Sequence, residues 1–297
     1  MNHTLQHITL VAGTHGNEWG GIYLYELWHD QPHLFKTYPF EVECYLANPK
    51  ATQANQRYVD QDLNRSFSKD SLNQKKPQAY EAQRASTIAQ ELHDTDFLID
   101  LHNTTSNMGI SLILTAEDAF KDELTRQLCA HLSQDPLVNI YYMPHKKEEN
   151  PHLPGLAQRN LIVEVGPMAH GTLDAQRFMD TRLLIQKTLD YLSAWQNGVA
   201  RRYSGKLTIY KHVEHVDYPR RPNGKIAAMV HPERQFKDYE PMKPGDPLFM
   251  SFTGATLEYT GEVTRWPVFV NEQSYYEKGV AMSLTEKTTV SLEDFGS

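Results

Sequence analysis

The chain reads as an α/β protein: a mixed, mostly parallel sheet flanked by helices, followed by a smaller all-β domain. Three observations predict this. Short apolar runs alternate with helix-period segments over the first two-thirds of the chain. Beyond Gln196-Asn197-Gly198 the helical period disappears and only short β-type runs remain, separated by turn signals. At 297 residues the chain is long enough for one large and one small domain.

The elements follow in order. Residues 8–12 have the pattern of a buried strand and end at Gly13. Trp19, Tyr23 and Leu27, supported by Ile22 and Trp28, recur at helical spacing. Residues 40–46 form a second strand, before a turn at Asn48-Pro49. The polar stretch 66–78, with Lys75-Lys76-Pro77, is a surface loop. Tyr80, Ile88 and Leu92 lie on one side of a helix over 80–92. Strands are expected at 97–102 and 110–114. The ladder Phe120, Leu124, Leu128, Leu132 makes a helix. A strand at 161–165 then precedes an amphipathic helix over 174–195. The later strands fall at 207–216, 226–230, 248–252, 255–259, 267–270 and 280–284, punctuated by Pro222-Asn223-Gly224 and Pro244-Gly245-Asp246. The domain boundary is placed near residue 200, with domains 1–200 and 201–297.

Composition narrows the function. With 29 basic against 37 acidic residues the net charge is −8, so the chain has no general attraction for phosphate backbones or anionic lipid. Pairs such as Arg201-Arg202 and Arg220-Arg221 are ordinary solvated surface. No apolar run approaches the ~20 residues of a membrane helix. Residues 1–13 lack the basic and apolar regions of a signal peptide. Cys44 and Cys129 alone make no disulfide framework and no thiolate metal site. The expectation is a cytoplasmic protein with no nucleic-acid or membrane partner.

Chemistry concentrates where strands end, since parallel sheets bind ligands beyond the carboxyl ends of their strands. His15 and Glu18 stand three apart at a strand-to-helix junction, and His102 ends a neighbouring strand. A His/Glu/His set with an open fourth position is a zinc-hydrolase arrangement. Spacing alone is uninformative: roughly two His-x-x-acid pairs are expected by chance, and His93/Asp96 and His145/Glu148 also occur. Those two lie in polar surroundings and read as solvated faces, whereas His15 follows a glycine turn, where it either binds metal or simply bonds a backbone carbonyl. Glu164 interrupts the apolar run Leu161-Ile162-Val163, and a carboxylate in a sheet interior requires a partner or a function. A structural arginine pair and a general base beside a metal are both open. Arg57, Asn64 and Arg65 fall in one polar segment and suit a carboxylate clamp, because guanidinium binds carboxylate bidentately.

Four segments carry a resemblance: Gly13-Thr14-His15-Gly16-Asn17-Glu18, Asp62-Leu63-Asn64-Arg65, the run from Asp100 to Gly109, and Glu164-Val165-Gly166-Pro167. With Val216-Asp217-Tyr218-Pro219-Arg220, Lys243-Pro244-Gly245-Asp246-Pro247 and the stretch from Pro267 to Lys278, they resemble the aspartoacylase/succinylglutamate desuccinylase family of the zinc-carboxypeptidase-like superfamily over essentially the whole chain. The resemblance implies zinc-dependent hydrolysis of N-acyl amino acids, with N-acetyl-L-aspartate, cleaved to acetate and L-aspartate, as the type substrate. It implies one zinc per chain on His15, Glu18 and His102, with Glu164 as general base. Arg57 then polarises the scissile carbonyl, and Asn64 and Arg65 hold the α-carboxylate. Tyr275 contacts the reacting group, and Lys278 adds positive potential at the mouth. It also implies a second domain partly roofing the cleft and, since members are often dimers, a homodimer. One position departs from the pattern. Ten residues before Glu164, where aspartoacylases carry an arginine for the side-chain carboxylate, stands Pro154, with Arg159 five residues out of register. N-acetylated aromatic or S-substituted cysteine derivatives and N-succinylglutamate are the alternative substrates, and a non-catalytic zinc or small-acid binder is the alternative of another class.

Overall fold

The computed structural model describes residues 4–75 and 77–293; Lys76 of the expected loop and the terminal residues 1–3 and 294–297 lie outside them. The first part of the chain contains β1 (His7–Ala12), α1 (Trp19–Asp30), β2 (Glu41–Leu46), α2 (Pro49–Ala54), α3 (Lys69–Leu72), α4 (Tyr80–Glu91), β3 (Phe97–Asn103) and β4 (Gly109–Ala116). It continues through α5 (Glu123–Leu132), β5 (Val138–His145), β6 (Arg159–Gly166) and α6 (Ala175–Gln196). The remaining strands are β7 (Lys206–Val216), β8 (Ala228–Val230), β9 (Pro247–Ser251), β10 (Thr256–Glu258), β11 (Trp266–Val268) and β12 (Met282–Ser291).

Nine strands form one mixed sheet in the order β11-β12-β7-β5-β4-β6-β3-β1-β2, and β10-β9-β8 form a small antiparallel sheet. The expected fold class holds. The main sheet continues past residue 200, where β7 joins it through Tyr141↔Tyr210 and Tyr142↔Lys211 beside β5. Strands β12 and β11 then add to it antiparallel. A change in sequence grammar marks where crossover helices stop, and hydrogen bonding between strands can continue across it.

Three expectations need correction. Asn48-Pro49 is a helix start and not merely a turn: the Asn48 side chain accepts from Ala51 N, and proline suits the first helical position. The loop at 66–78 contains one helical turn, α3, capped by Ser68. Strand β5 was absent from the sequence reading, and it carries His145 out of the solvated loop assigned to it and into a cavity wall.

The strand period decides which face does chemistry. On β3, Phe97, Ile99 and Leu101 join the core beneath α1, α5 and α6. Asp100 and His102 alternate to the opposite face. On β6, Leu161, Val163 and Val165 join the same core, so Glu164 also faces the other way. Parallel register sets His102 directly beside Glu164. On that second face α4 covers one part through Ala85 and Ile88. Over β4 and β6 the cover is Phe269 and Tyr275 from the C-terminal segment. Among the described residues no helix is long and apolar enough to cross a membrane.

Candidate active site

A cavity of about 300 Å³ opens on this face, and all nine residues singled out from the sequence line it: His15, Glu18, Arg57, Asn64, Arg65, His102, Glu164, Tyr275 and Lys278. The loop after β1 delivers the first two. Gly13 takes φ +64°, a left-handed turn, and a Cβ on Gly16 would lie 2.0 Å from the Ala51 carbonyl carbon. The Gly16 N–H donates to Arg57 O at 3.2 Å, which ties this loop to the arginine segment.

The three candidate ligands converge. Their donor atoms lie within 4.8 Å of one another. His15 Nδ1 is 2.6 Å from Glu18 Oε1, His102 Nδ1 is 2.9 Å from Glu18 Oε2, and the two Nδ1 atoms are 3.1 Å apart. Each ring also meets a carboxylate on its far side. His15 Nε2 is 3.1 Å from Asp62 Oδ1 and His102 Nε2 is 2.8 Å from Asp100 Oδ2, and Asp100 in turn accepts from Thr14 Oγ1 at 2.7 Å. Ionised carboxylates only accept, so a ring that gave its Nδ1 lone pair to a metal would keep its hydrogen on Nε2 and point it at its aspartate. Glu18 is an acceptor for the same two Nδ1 atoms, so the cluster favours positive charge beside its carboxylate. Burial disfavours the His102 cation, yet Asp100 and Glu18 hold its pKa well above the usual value. Burial likewise opposes ionisation of Glu18, and the two histidines hold it well below the carboxylate range. The donor set fits zinc: two imidazoles, one carboxylate and paired far-side nitrogens.

Glu164 is 8% exposed and makes no hydrogen bond or ion pair among the described residues, so a structural arginine pair is absent. Burial, and next the Glu18 charge, push its carboxyl well above the usual range. Arg57 donates to Glu18 Oε1 at 3.3 Å and Asp62 Oδ2 at 3.4 Å, while its buried Nε has no partner. Asn64 accepts from Leu153 N at 2.9 Å, and Arg65 donates to Asn64 O at 2.7 Å. Tyr275 packs on Phe269 with ring centres 5.1 Å apart, and burial holds its hydroxyl protonated. Lys278 pairs with Asp62. Pro154 is buried in the turn Leu153–Leu156, and Arg159 is bound to Asp122 at 2.9 and 3.0 Å at the start of β6, the end opposite Glu164. Neither lines the cavity.

The sequence reading missed the residues that aim these groups. Glu81, fully buried on α4, accepts from the consecutive N–H groups of Val59, Asp60 and Gln61 at 2.6, 2.9 and 3.2 Å, and from Asn48 Nδ2 at 3.2 Å. It thereby folds the loop between Arg57 and Asn64 around one anion. Glu272 accepts from Thr104 Oγ1, from Thr105 N at 2.8 Å and from Ser274 N at 3.0 Å, anchoring the segment that carries Tyr275. Only a buried carboxylate in a helix pattern or beside an apolar strand signals such roles. A Glu81→Gln protein, with one acceptor oxygen for four donors, is expected to lose about 3 kcal/mol. Denaturant unfolding checks this, and an unchanged midpoint would show that the loop holds without that charge.

Residues 4–192 match the Succinylglutamate desuccinylase/Aspartoacylase catalytic domain, and residues 205–287 match the AstE/AspA barrel-sandwich hybrid domain. The chain belongs to the succinylglutamate desuccinylase/aspartoacylase family. Among its relatives in that family, a probable aspartoacylase of Acaryochloris marina is 40% identical over 98% of this chain and 99% of the relative. The human N-acyl-aromatic-L-amino acid amidohydrolase (carboxylate-forming) is 38% identical over 96% of this chain and 92% of its own length. The crystal structure of murine aminoacylase 3 superposes with a TM-score of 0.93 at 34% identity, covering 98% of both chains.

Proposed function

We propose that this protein is a zinc-dependent amidohydrolase that cleaves N-acyl-L-amino acids into a carboxylate and a free amino acid. The observation that carries the reading is the convergence of the His15, Glu18 and His102 donor atoms in one cavity with an unpaired buried acid, Glu164. Zinc held by His15, Glu18 and His102 would supply Lewis acidity for the attacking water and the acyl carbonyl. Glu164 takes a proton from the attacking water and passes it to the leaving α-amine, a task suited to a carboxyl of raised proton affinity. Arg57, with its free Nε, donates to the oxygen on which charge develops, and the Tyr275 hydroxyl is a second donor. Arg65 and the Asn64 amide hold the α-carboxylate and so orient the attack. The cavity of about 300 Å³ leaves room for a small substrate.

N-acetyl-L-aspartate is the first substrate to test. N-acyl aromatic amino acids are the second, favoured by the apolar side chains of Ile113, Met143, Ile162 and Phe269 in the wall and by the name of the human relative. The deciding measurement is kcat/KM of the zinc-loaded protein on N-acetyl-L-aspartate, N-acetyl-L-tyrosine and N-succinyl-L-glutamate; turnover of none of them refutes the reading. An Arg65→Ala change is expected to raise KM about a hundredfold on every α-carboxylate substrate with a smaller effect on kcat. Equal losses in kcat would move Arg65 from binding to chemistry.

A further inference from the structure

One wall of the cavity has no part in the steps above. His145 ends β5, His152 precedes the turn at 153–156, and His215 lies near the end of β7; all three line the cavity beside Arg65. The rings of His145 and His152 stand 5.4 Å apart. His212 lies 4.6 Å from the His215 ring and shares a 2.9 Å hydrogen bond with the Tyr141 hydroxyl.

These imidazoles are short of acceptors. Arg65 Nη1 is 3.3 Å from His152 Nδ1, and a guanidinium can only donate, so the His152 hydrogen sits on Nε2. His145 Nε2 is buried with no partner. His215 Nδ1 meets the Ser283 hydroxyl at 2.9 Å. The charges facing the wall are mostly positive. Arg65 bears on His145, His152 and His215, and His102 bears on His152. Of the acids, Glu149 is exposed and 3.8 Å from Lys146, and Asp62 is already bound to His15, Arg57 and Lys278. Burial, and next Arg65, hold all three imidazoles below the usual histidine pKa, so near neutrality the wall is a set of uncharged ring nitrogens. An apolar ring packed on it leaves those nitrogens unsatisfied, whereas a terminal oxygen anion accepts from them.

We propose that His145, His152 and His215 form the side-chain subsite and select N-acyl amino acids whose side chain ends in a carboxylate, in place of an arginine at the position of Pro154. This rests on the deacylase reading. Selection by imidazole is coupled to protons: a carboxylate seated there draws a proton onto the wall, so preference for acidic over neutral side chains strengthens as pH falls, which an arginine would not produce.

The test is calorimetric binding of N-acetyl-L-aspartate, N-acetyl-L-glutamate and N-acetyl-L-phenylalanine to zinc-loaded Glu164→Gln protein, which binds without consuming them. The acidic ligands are expected to bind about tenfold tighter than the phenylalanine derivative, with the ratio growing severalfold from about pH 8 to about pH 6. His145→Phe and His215→Phe keep a flat ring and delete its nitrogens; each is expected to weaken the acidic ligands about tenfold while leaving N-acetyl-L-phenylalanine within about twofold. Preference for the phenylalanine derivative, equal losses on all three ligands, a pH-independent ratio, or no binding of any overturns the subsite. Selective binding of the acids without turnover by the unsubstituted protein instead overturns the deacylase reading and leaves the subsite standing.

Discussion

Glu164→Gln protein is expected to bind zinc at the parent stoichiometry and to lose about a thousandfold or more in kcat with KM nearly unchanged. Glutamine matches the shape of the side chain and fills the same place on β6, but its amide accepts no proton at working pH. The carboxyl it replaces sits at 8% exposure with no hydrogen-bonding partner among the described residues, and its proton affinity is raised by burial and by Glu18. Such a group is poised to take a proton from water and return it to an amine. Because that work is done only as the transition state forms, its loss falls on kcat. Metal analysis alongside steady-state kinetics on N-acetyl-L-aspartate and N-acetyl-L-tyrosine checks the pair of outcomes. A rate within tenfold of the parent, with metal retained, would sink the base assignment.

His102→Ala is expected to abolish both metal retention and turnover, and added zinc is not expected to restore either. In the parent, chelation should remove activity and zinc should return it. Losing one of three ligands leaves His15 and Glu18, three residues apart on one loop, with no fixed group opposite them. The substitution also strands Asp100, which is fully buried and keeps, among the described residues, only the Thr14 hydroxyl as a side-chain partner. An uncompensated buried charge costs about 3–5 kcal/mol, so a lowered melting temperature should accompany the lost metal. The companion Asp100→Asn removes that charge while keeping the imidazole, and is expected to weaken zinc about 10–100-fold with the fold intact. Undiminished metal binding by His102→Ala would remove this residue from the site.

Much of this protein can be read along the chain because local rules write it there. The apolar runs of β1, β3 and β6 are strands on periodicity alone, and the ladder through Leu124, Leu128 and Leu132 is a helix. His15 and Glu18 stand out because a glycine turn and a strand end announce them, and Glu164 because no apolar run tolerates an acid without a reason. By contrast, β5 has the sequence VNIYYMPH, in which Pro144 and mixed polarity hide the period. Its pairing with β4 and β7 supplies the hydrogen bonds that propensity does not.

What the order of residues determined by itself is the alternation that puts Asp100, His102 and Glu164 on one face of a sheet, together with the motifs that mark the family. What only tertiary structure decided is everything that depends on segments far apart meeting. Glu81 reaches back to gather the backbone of 59–61, Glu272 brings Tyr275 over the site, and β7 extends the main sheet past the change in grammar. His145, solvated on the local reading, becomes part of a cavity wall with His215 for the same cause. A residue's neighbours along the chain set its backbone preference, but its burial, its charge partners and hence its chemistry come from side chains that the sequence holds dozens of positions away.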